Sequence, residues 1–434
     1  MLNISIWNIL AVFSSSIAIY MLLRAIRQDK PKKPISGWLH ANEYYEANQR
    51  FNLHIDDVIE LFGKHAKFVY DKLIIATVGG IDHKIPVIRL PILLPDIPQN
   101  LFPIDLDTQK DTSSLDDDLL RFRKEELGQK ITDNPTFRLT ALQQDKLVIG
   151  LSTYFKTLST SDIHYNKFIA NMPSANSIQN NKELAFEHYA SLPFFKNWLQ
   201  QIEKIICHQQ FSGYTASIGC SVLTLFKTTE NHYCFYAVHN SSEKNGGLDG
   251  HVIPSFMYQP ITSNIAYANK ELDIKEQVLR EFGEEILGIE DLESPNAGTL
   301  KRILKKATSR ISSNQQKTPS EMQLEELNKL FEMQKANLYV TGIVLDVFRL
   351  RPEVTLLLFI DDPEYMSDIE PKGSWETKNK KVNKYNINQY ENFLKRDTSV
   401  PDLCVPGMAA LINGMEYAKT YIFTTNTNKE DISE

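Results

Sequence analysis

Three glutamates in one short run constrain this chain more than any other feature. Residues Ile274–Ile289 read IKEQVLREFGEEILGI. As a helix, the run places Glu281, Glu284 and Glu285 at i, i+3 and i+4, within an arc of roughly 100°. Ile274, Val278, Phe282 and Ile286 form an apolar stripe beside them. Such a helix buries one flank and holds three carboxylates on another. Clustered like charges repel unless a cation offsets them. Three carboxylates so placed suit Mg²⁺ or Mn²⁺. Arg280 can pair with one of them and fix its rotamer. The plain alternative is a solvated acidic face on a surface helix.

The flanking chain reads as strands. Thr215–Phe226 and Tyr233–His239 are apolar and β-rich, joined by the polar stretch Lys227–His232. Asn245-Gly246-Gly247 and then His251–Pro260 precede the acidic helix. Leu338–Phe348 and Glu353–Ile360 form another strand pair after it, and Pro406–Lys419 reads as a closing helix.

The hexapeptide Arg280-Glu281-Phe282-Gly283-Glu284-Glu285 resembles the core of the Nudix box, with Gly288-Ile289 as a glycine-apolar stop one residue later than usual. The upstream glycine and glutamate of that box are replaced here by Ala266 and Leu272. Of the Pro-Gly-Gly strand, Pro254 remains and Phe256-Met257 stand for the glycines. The order of three strands, acidic helix and two strands is similar to a Nudix sandwich, over about residues 215–419. The resemblance implies an α+β fold, a Nudix-like α/β/α sandwich. It implies Glu281, Glu284 and Glu285 as metal ligands for Mg²⁺ or Mn²⁺, with Glu284 or Glu285 also polarising water. Glu376 stands where related enzymes often place a general base. Arg280 would orient the acids, and Arg349 and Arg351 would touch phosphate. Trp375 or Tyr258 could stack on a base, although core packing is the commoner task. The implied substrate is a nucleoside diphosphate linked to another group, split at its pyrophosphate.

Ile4–Leu23 runs about twenty residues without a charge, enough to cross a bilayer as a helix. No basic start precedes it and no Ala-x-Ala follows, which favours an anchor over a cleaved signal peptide. Arg24, Arg27, Lys30, Lys32 and Lys33 come next and place the C-terminal side in the cytoplasm. They could also attract anionic lipid headgroups. The expected location is a single-pass membrane protein, of a bacterial inner membrane, with its later domains cytoplasmic.

A net charge of −7 argues against an extended nucleic-acid surface. Cys207, Cys220, Cys234 and Cys404 are scattered without a C-x-x-C pair, as in a reducing compartment. Cys220 and Cys234 read as buried thiols.

The chain divides into an anchor and basic linker (1–36), an accessory α+β region (37–210), the Nudix-like domain (211–425) and a tail (426–434). In the accessory region, Trp38–Asp71 reads as helical, with Asn52 or Asp56 as caps. Lys72–Leu94 reads as strands around a Gly79-Gly80 turn. Asp105–Asp118 reads as a mobile acidic loop. Phe137–Phe155 reads as two strands, and Leu184–Cys207 as a helix. Asp162, His164 and Tyr165 match no site spacing and read as loop. Lys305–Lys335 reads as an insertion carrying an amphipathic helix at Gln323–Met333.

Two functions of different class follow. One is a membrane-anchored hydrolase of nucleotide pyrophosphates. The other is a Nudix-like module that senses a nucleotide without hydrolysis, similar to membrane effectors of antiphage signalling, with a second copy of the chain as a further partner. A vestigial structural fold is the bland third. An enzyme needs the three carboxylates on one metal; a binding module needs only a pocket.

Overall fold

The computed structural model describes residues 35, 37–91, 103–143, 146–209, 211, 214–228, 232–240, 250–260, 263–289, 318–367, 369, 371, 380–397 and 399–423. The expected span Ile4–Leu23, its basic flank and Glu376 lie outside them. Among the described residues no helix is long and apolar enough to cross a membrane. The chain divides into residues 1–40 and a compact unit of residues 41–434. The latter is a mixed α+β structure with a mixed sheet.

The first half of this unit begins with helices α1 (Ala41–Leu53) and α2 (Ile55–His65). The N-cap of α2 is His54, not Asn52 or Asp56, and its side chain makes no cap bond. A hairpin follows, β1 (Leu73–Val78) and β2 (Ile81–Arg89), turning at Gly79-Gly80 as expected. The stretch expected as an acidic loop is partly ordered. It holds β3 (Ile104–Asp107) and a helical turn at Asp117–Arg121, and Asp111 is buried. Strands β4 (Pro135–Leu142) and β5 (Leu147–Thr153) join β3 in a sheet of order β3-β5-β4.

The next helices are α3 (Ile163–Ala170), α4 (Lys182–Ser191) and α5 (Pro193–His208). Sequence reading merged α4 and α5 into one helix. Leu192 takes extended backbone before Pro193, because a proline disfavours helical geometry in the residue before it. Asp162, His164 and Tyr165 are helical rather than loop: α3 continues a wide helical turn over Leu158–Asp162. Their polar side chains hid an apolar face, since Phe168 and Ile169 are fully buried.

The larger sheet has the order β1-β2-β10-β11-β6-β7-β12. Its members are β6 (Gly219–Lys227), β7 (Tyr233–Asn240), β8 (His251–Val252), β9 (Ser255–Met257), β10 (Ala336–Asp346), β11 (Arg351–Ile360) and β12 (Lys380–Asn386). β8 pairs with β7 and β9 with β6. β6 and β11 run parallel in an otherwise antiparallel sheet. Both are buried almost throughout, as strands covered on two faces must be.

The hairpin β1–β2 belongs to this sheet through pairing of β2 with β10, so the sheet crosses the boundary expected at residue 210. An aromatic core crosses it too. Phe348, just after β10, packs edge-on against Phe51 of α1 and Phe168 of α3, at 5.1 and 5.2 Å between ring centres. Trp198 of α5 stacks on Phe62 and donates its ring N–H to the Val347 carbonyl at 2.6 Å. Burying that many rings supplies several kcal/mol, roughly 25 cal/mol per Å² of apolar surface.

Among the described residues, the longer helices of the second half are α6 (Ile274–Glu285), α7 (Pro319–Glu332) and α8 (Val405–Tyr417). α8 is buried along nearly its whole length and lies against β2, β10, β11, β6 and β8. α7 packs on β10 and α6.

Candidate functional site

The acidic run folds as the helix its periodicity predicts. Asp273 caps it, accepting from the Lys275 and Glu276 amides at 2.9 and 3.3 Å. Ile274, Val278, Phe282 and Ile286 are each at most 1% exposed. Gly288 ends the helix with φ +64°, a left-handed geometry that glycine adopts without a Cβ clash. The Ile289 amide then reaches back to the Gly283 carbonyl at 2.9 Å.

Two carboxylates of α6 meet groups inside the fold. Arg280 and Glu281 are both buried and pair with each other at 2.8 Å. Glu285 is half-buried and accepts from the Ser255 amide at 2.9 Å, which ties α6 to β9. Glu284 is half-buried beside it. Among the described residues no three His, Cys, Asp or Glu side chains are placed to hold a metal ion. Glu281 meets the Arg280 guanidinium and Glu285 meets a backbone N–H.

Behind Ser255 lies a polar cluster that sequence reading missed. The Ser255 hydroxyl is 3.3 Å from His251 Nε2 and 3.4 Å from the Ser221 hydroxyl. Ser221 donates to Glu353 Oε1 at 2.5 Å. Glu353 is 2% exposed and lies 3.8 Å from Arg351. Burial pushes its carboxyl above the usual range, although Arg351 and Ser221 pull the other way. Gly219 makes room for it. A Cβ there would lie 1.8 Å from Glu353 Oε2. Burial, then Glu353 and Glu281, raises the neighbouring Cys220 thiol well above its ordinary range. One signal was available in the sequence: Glu353 opens a strand whose every following residue to Ile360 is apolar or Thr, so its carboxyl had to be buried.

The two arginines expected to meet phosphate are turned to internal partners. Arg349 pairs with Asp346 at 2.9 Å and covers the Tyr165 ring at 4.0 Å. Arg351 faces Glu353. Their side chains are 21% and 19% exposed, so neither is a free surface cation. Tyr258 is buried against Phe137, in the packing role. Glu376 and Trp375 lie outside the described residues.

A cavity of about 470 Å³ opens elsewhere, between α2, the β1–β2 hairpin, Lys395-Arg396 and the start of α8. No box residue lines it. Its lining mixes acidic and basic side chains: Asp56, Glu60 and Asp82 with Lys84, Lys395 and Arg396. No protein-family model matches the chain, and no curated protein matches it.

Proposed function

We propose that this chain is a Nudix-like nucleotide-binding module, tethered to a membrane through residues 4–23, in which the acidic box is an internal brace rather than a metal cage. One observation carries the reading: Glu281 is bonded to Arg280 and Glu285 to the Ser255 amide. The order of strands, acidic helix and closing helix supports a Nudix-like sandwich. The resemblance supplies the ligand class, a nucleoside diphosphate or a molecule containing one.

Hydrolysis of a nucleotide pyrophosphate is the second reading. It is favoured by Glu284 and Glu285, which stand adjacent and half-buried at the end of α6. A divalent ion held there would supply charge neutralisation and an acidified water. It would have to draw Glu285 from Ser255.

The test uses the full chain in detergent. ADP is titrated calorimetrically with and without Mn²⁺, and an ADP-sugar is incubated with the protein and followed by chromatography. The binding reading expects ADP affinity that is indifferent to Mn²⁺ and no cleavage. Mn²⁺-dependent cleavage lost in Glu284→Gln and Glu285→Gln would replace it with the hydrolase reading. Absence of both binding and cleavage would defeat both.

A further inference from the structure

Arg138 is buried without a counter-charge. It lies in β4, is 7% exposed and belongs to no part of the site above. Its Nε is sealed from solvent and has no hydrogen-bond partner. Among the described residues no carboxylate pairs with its guanidinium. A guanidinium this far buried without an anion is costly, and an unsatisfied buried polar group calls for an explanation, of which an ion is one.

The surroundings are donors. Thr136 shares the Arg138 face of β4, two residues away. It is fully buried, and its hydroxyl also lacks a partner. Across the strand pair, Arg138 faces Gly150 and Thr136 faces Ser152. The guanidinium lies over Gly150, where a Cβ would stand 3.4 Å from Nε and 3.5 Å from Nη2. Ser217 bridges to Arg138 from the chain leading into β6. It is buried and shares a hydrogen bond with Thr157 at 2.6 Å.

The nearby acids are already satisfied. Asp111 accepts from the Ser113 amide and from the hydroxyls of Ser113, Ser152 and Thr215. Lys156 stands 3.8 Å from its carboxylate. Asp107, level with Gly150 on β3, accepts from the Gln109 amide in its own turn. The Arg138 charge is therefore in excess.

We propose that Arg138 and Thr136 form an oxyanion-binding site on the small sheet, and that its ligand is a phosphoryl group. A planar guanidinium beside hydroxyl donors is a bidentate receptor for such an anion. The site does not depend on the Nudix-like reading, because β4 bears none of the box residues.

The test is calorimetric titration of the full chain with inorganic phosphate at constant ionic strength, with acetate as the parallel arm. Saturable phosphate binding is expected, weakened about tenfold or more in Arg138→Gln, the loss of a charge-assisted fork. Thr136→Val, a change of one hydroxyl, should weaken it by a smaller factor. Where Arg138→Gln does not fold, Arg138→Lys replaces it. That variant keeps the charge, loses the fork and should still bind less tightly. Saturable binding of acetate without phosphate would overturn the phosphoryl assignment. No saturable binding by the parent, or parental affinity in folded Arg138 and Thr136 variants, would overturn the site.

Discussion

Gly219 and Glu353 stand side by side on β6 and β11, and one cannot be enlarged without moving the other. The intruding Cβ of Gly219→Ala would displace a carboxylate that has nowhere dry to go. We expect a loss of about 2–4 kcal/mol in denaturant melts, from overpacking and a disrupted buried hydrogen bond. A loss under about 0.5 kcal/mol, the range of ordinary surface changes, would mean that Glu353 is not packed there. Arg280 and Glu281 make a similar demand. Glu281→Ala removes a buried ion-pair partner of Arg280 and should cost about 3 kcal/mol. Glu284→Ala on the same helix, at a half-buried position, should cost less. Equal losses in the two variants would contradict the brace.

Elements here end and begin on identifiable groups. α7 opens with a capping box, in which Thr318 and Glu321 exchange side-chain and backbone bonds. Thr318→Ala should lower stability by about 1 kcal/mol. Gly288→Ala should cost a similar amount, about 1 kcal/mol, because it forces a Cβ into left-handed backbone at the end of α6. Both are read by thermal or chemical melts, and a neutral outcome at Thr318 would mean that α7 is held by its apolar face alone. That face is real: Leu324, Leu327, Leu330 and Phe331 are all buried.

Across the whole unit, stability should fall in acid for two separate reasons. Burial pushes the His164 imidazole down from 6.5 to about 4. A depressed pKa means that the neutral form is the folded one. Its contribution is fully present above the unfolded value of 6.5 and is lost as pH falls toward 4. His164 retains some exposure to solvent, so the loss is on the order of 2 kcal/mol. In Asp111, burial pushes the carboxyl up, but hydrogen bonds from Ser152, Ser113 and Thr215 outweigh it and hold the pKa below 3.8. Its contribution is present above the ordinary Asp range and lost only at lower pH. Equilibrium unfolding from pH 7 to 4 should therefore show a decline that His164→Phe removes. A decline unchanged by that substitution would place its source elsewhere.

Much of this was legible along the chain, because it depends on neighbours in sequence. Apolar, β-rich runs mark β6, β7, β10 and β11, and a period near 3.6 marks α6. Gly79-Gly80 marks a turn, and Gly288 a helix end. What pairs with what was decided in three dimensions. The acidic box shows three carboxylates on one side of a helix, and that pattern alone suits a cation. The fold selects Glu281 as the carboxylate that Arg280 meets, a pairing the sequence left open among three, and it brings Ser255 to Glu285, which helical spacing does not give. Arg349 and Arg351 look like surface cations after a strand until Asp346 and Glu353 are seen beside them. Asp111 looks like one acid of a polar loop until four donors from residues 113, 152 and 215 close on it. Local propensity acts over a few residues, so sequence determines where helices and strands form. Desolvated charges take whichever partner the packed chain delivers, and only the tertiary structure decides that Glu281 meets Arg280 while Arg138 is buried with its Nε unpartnered.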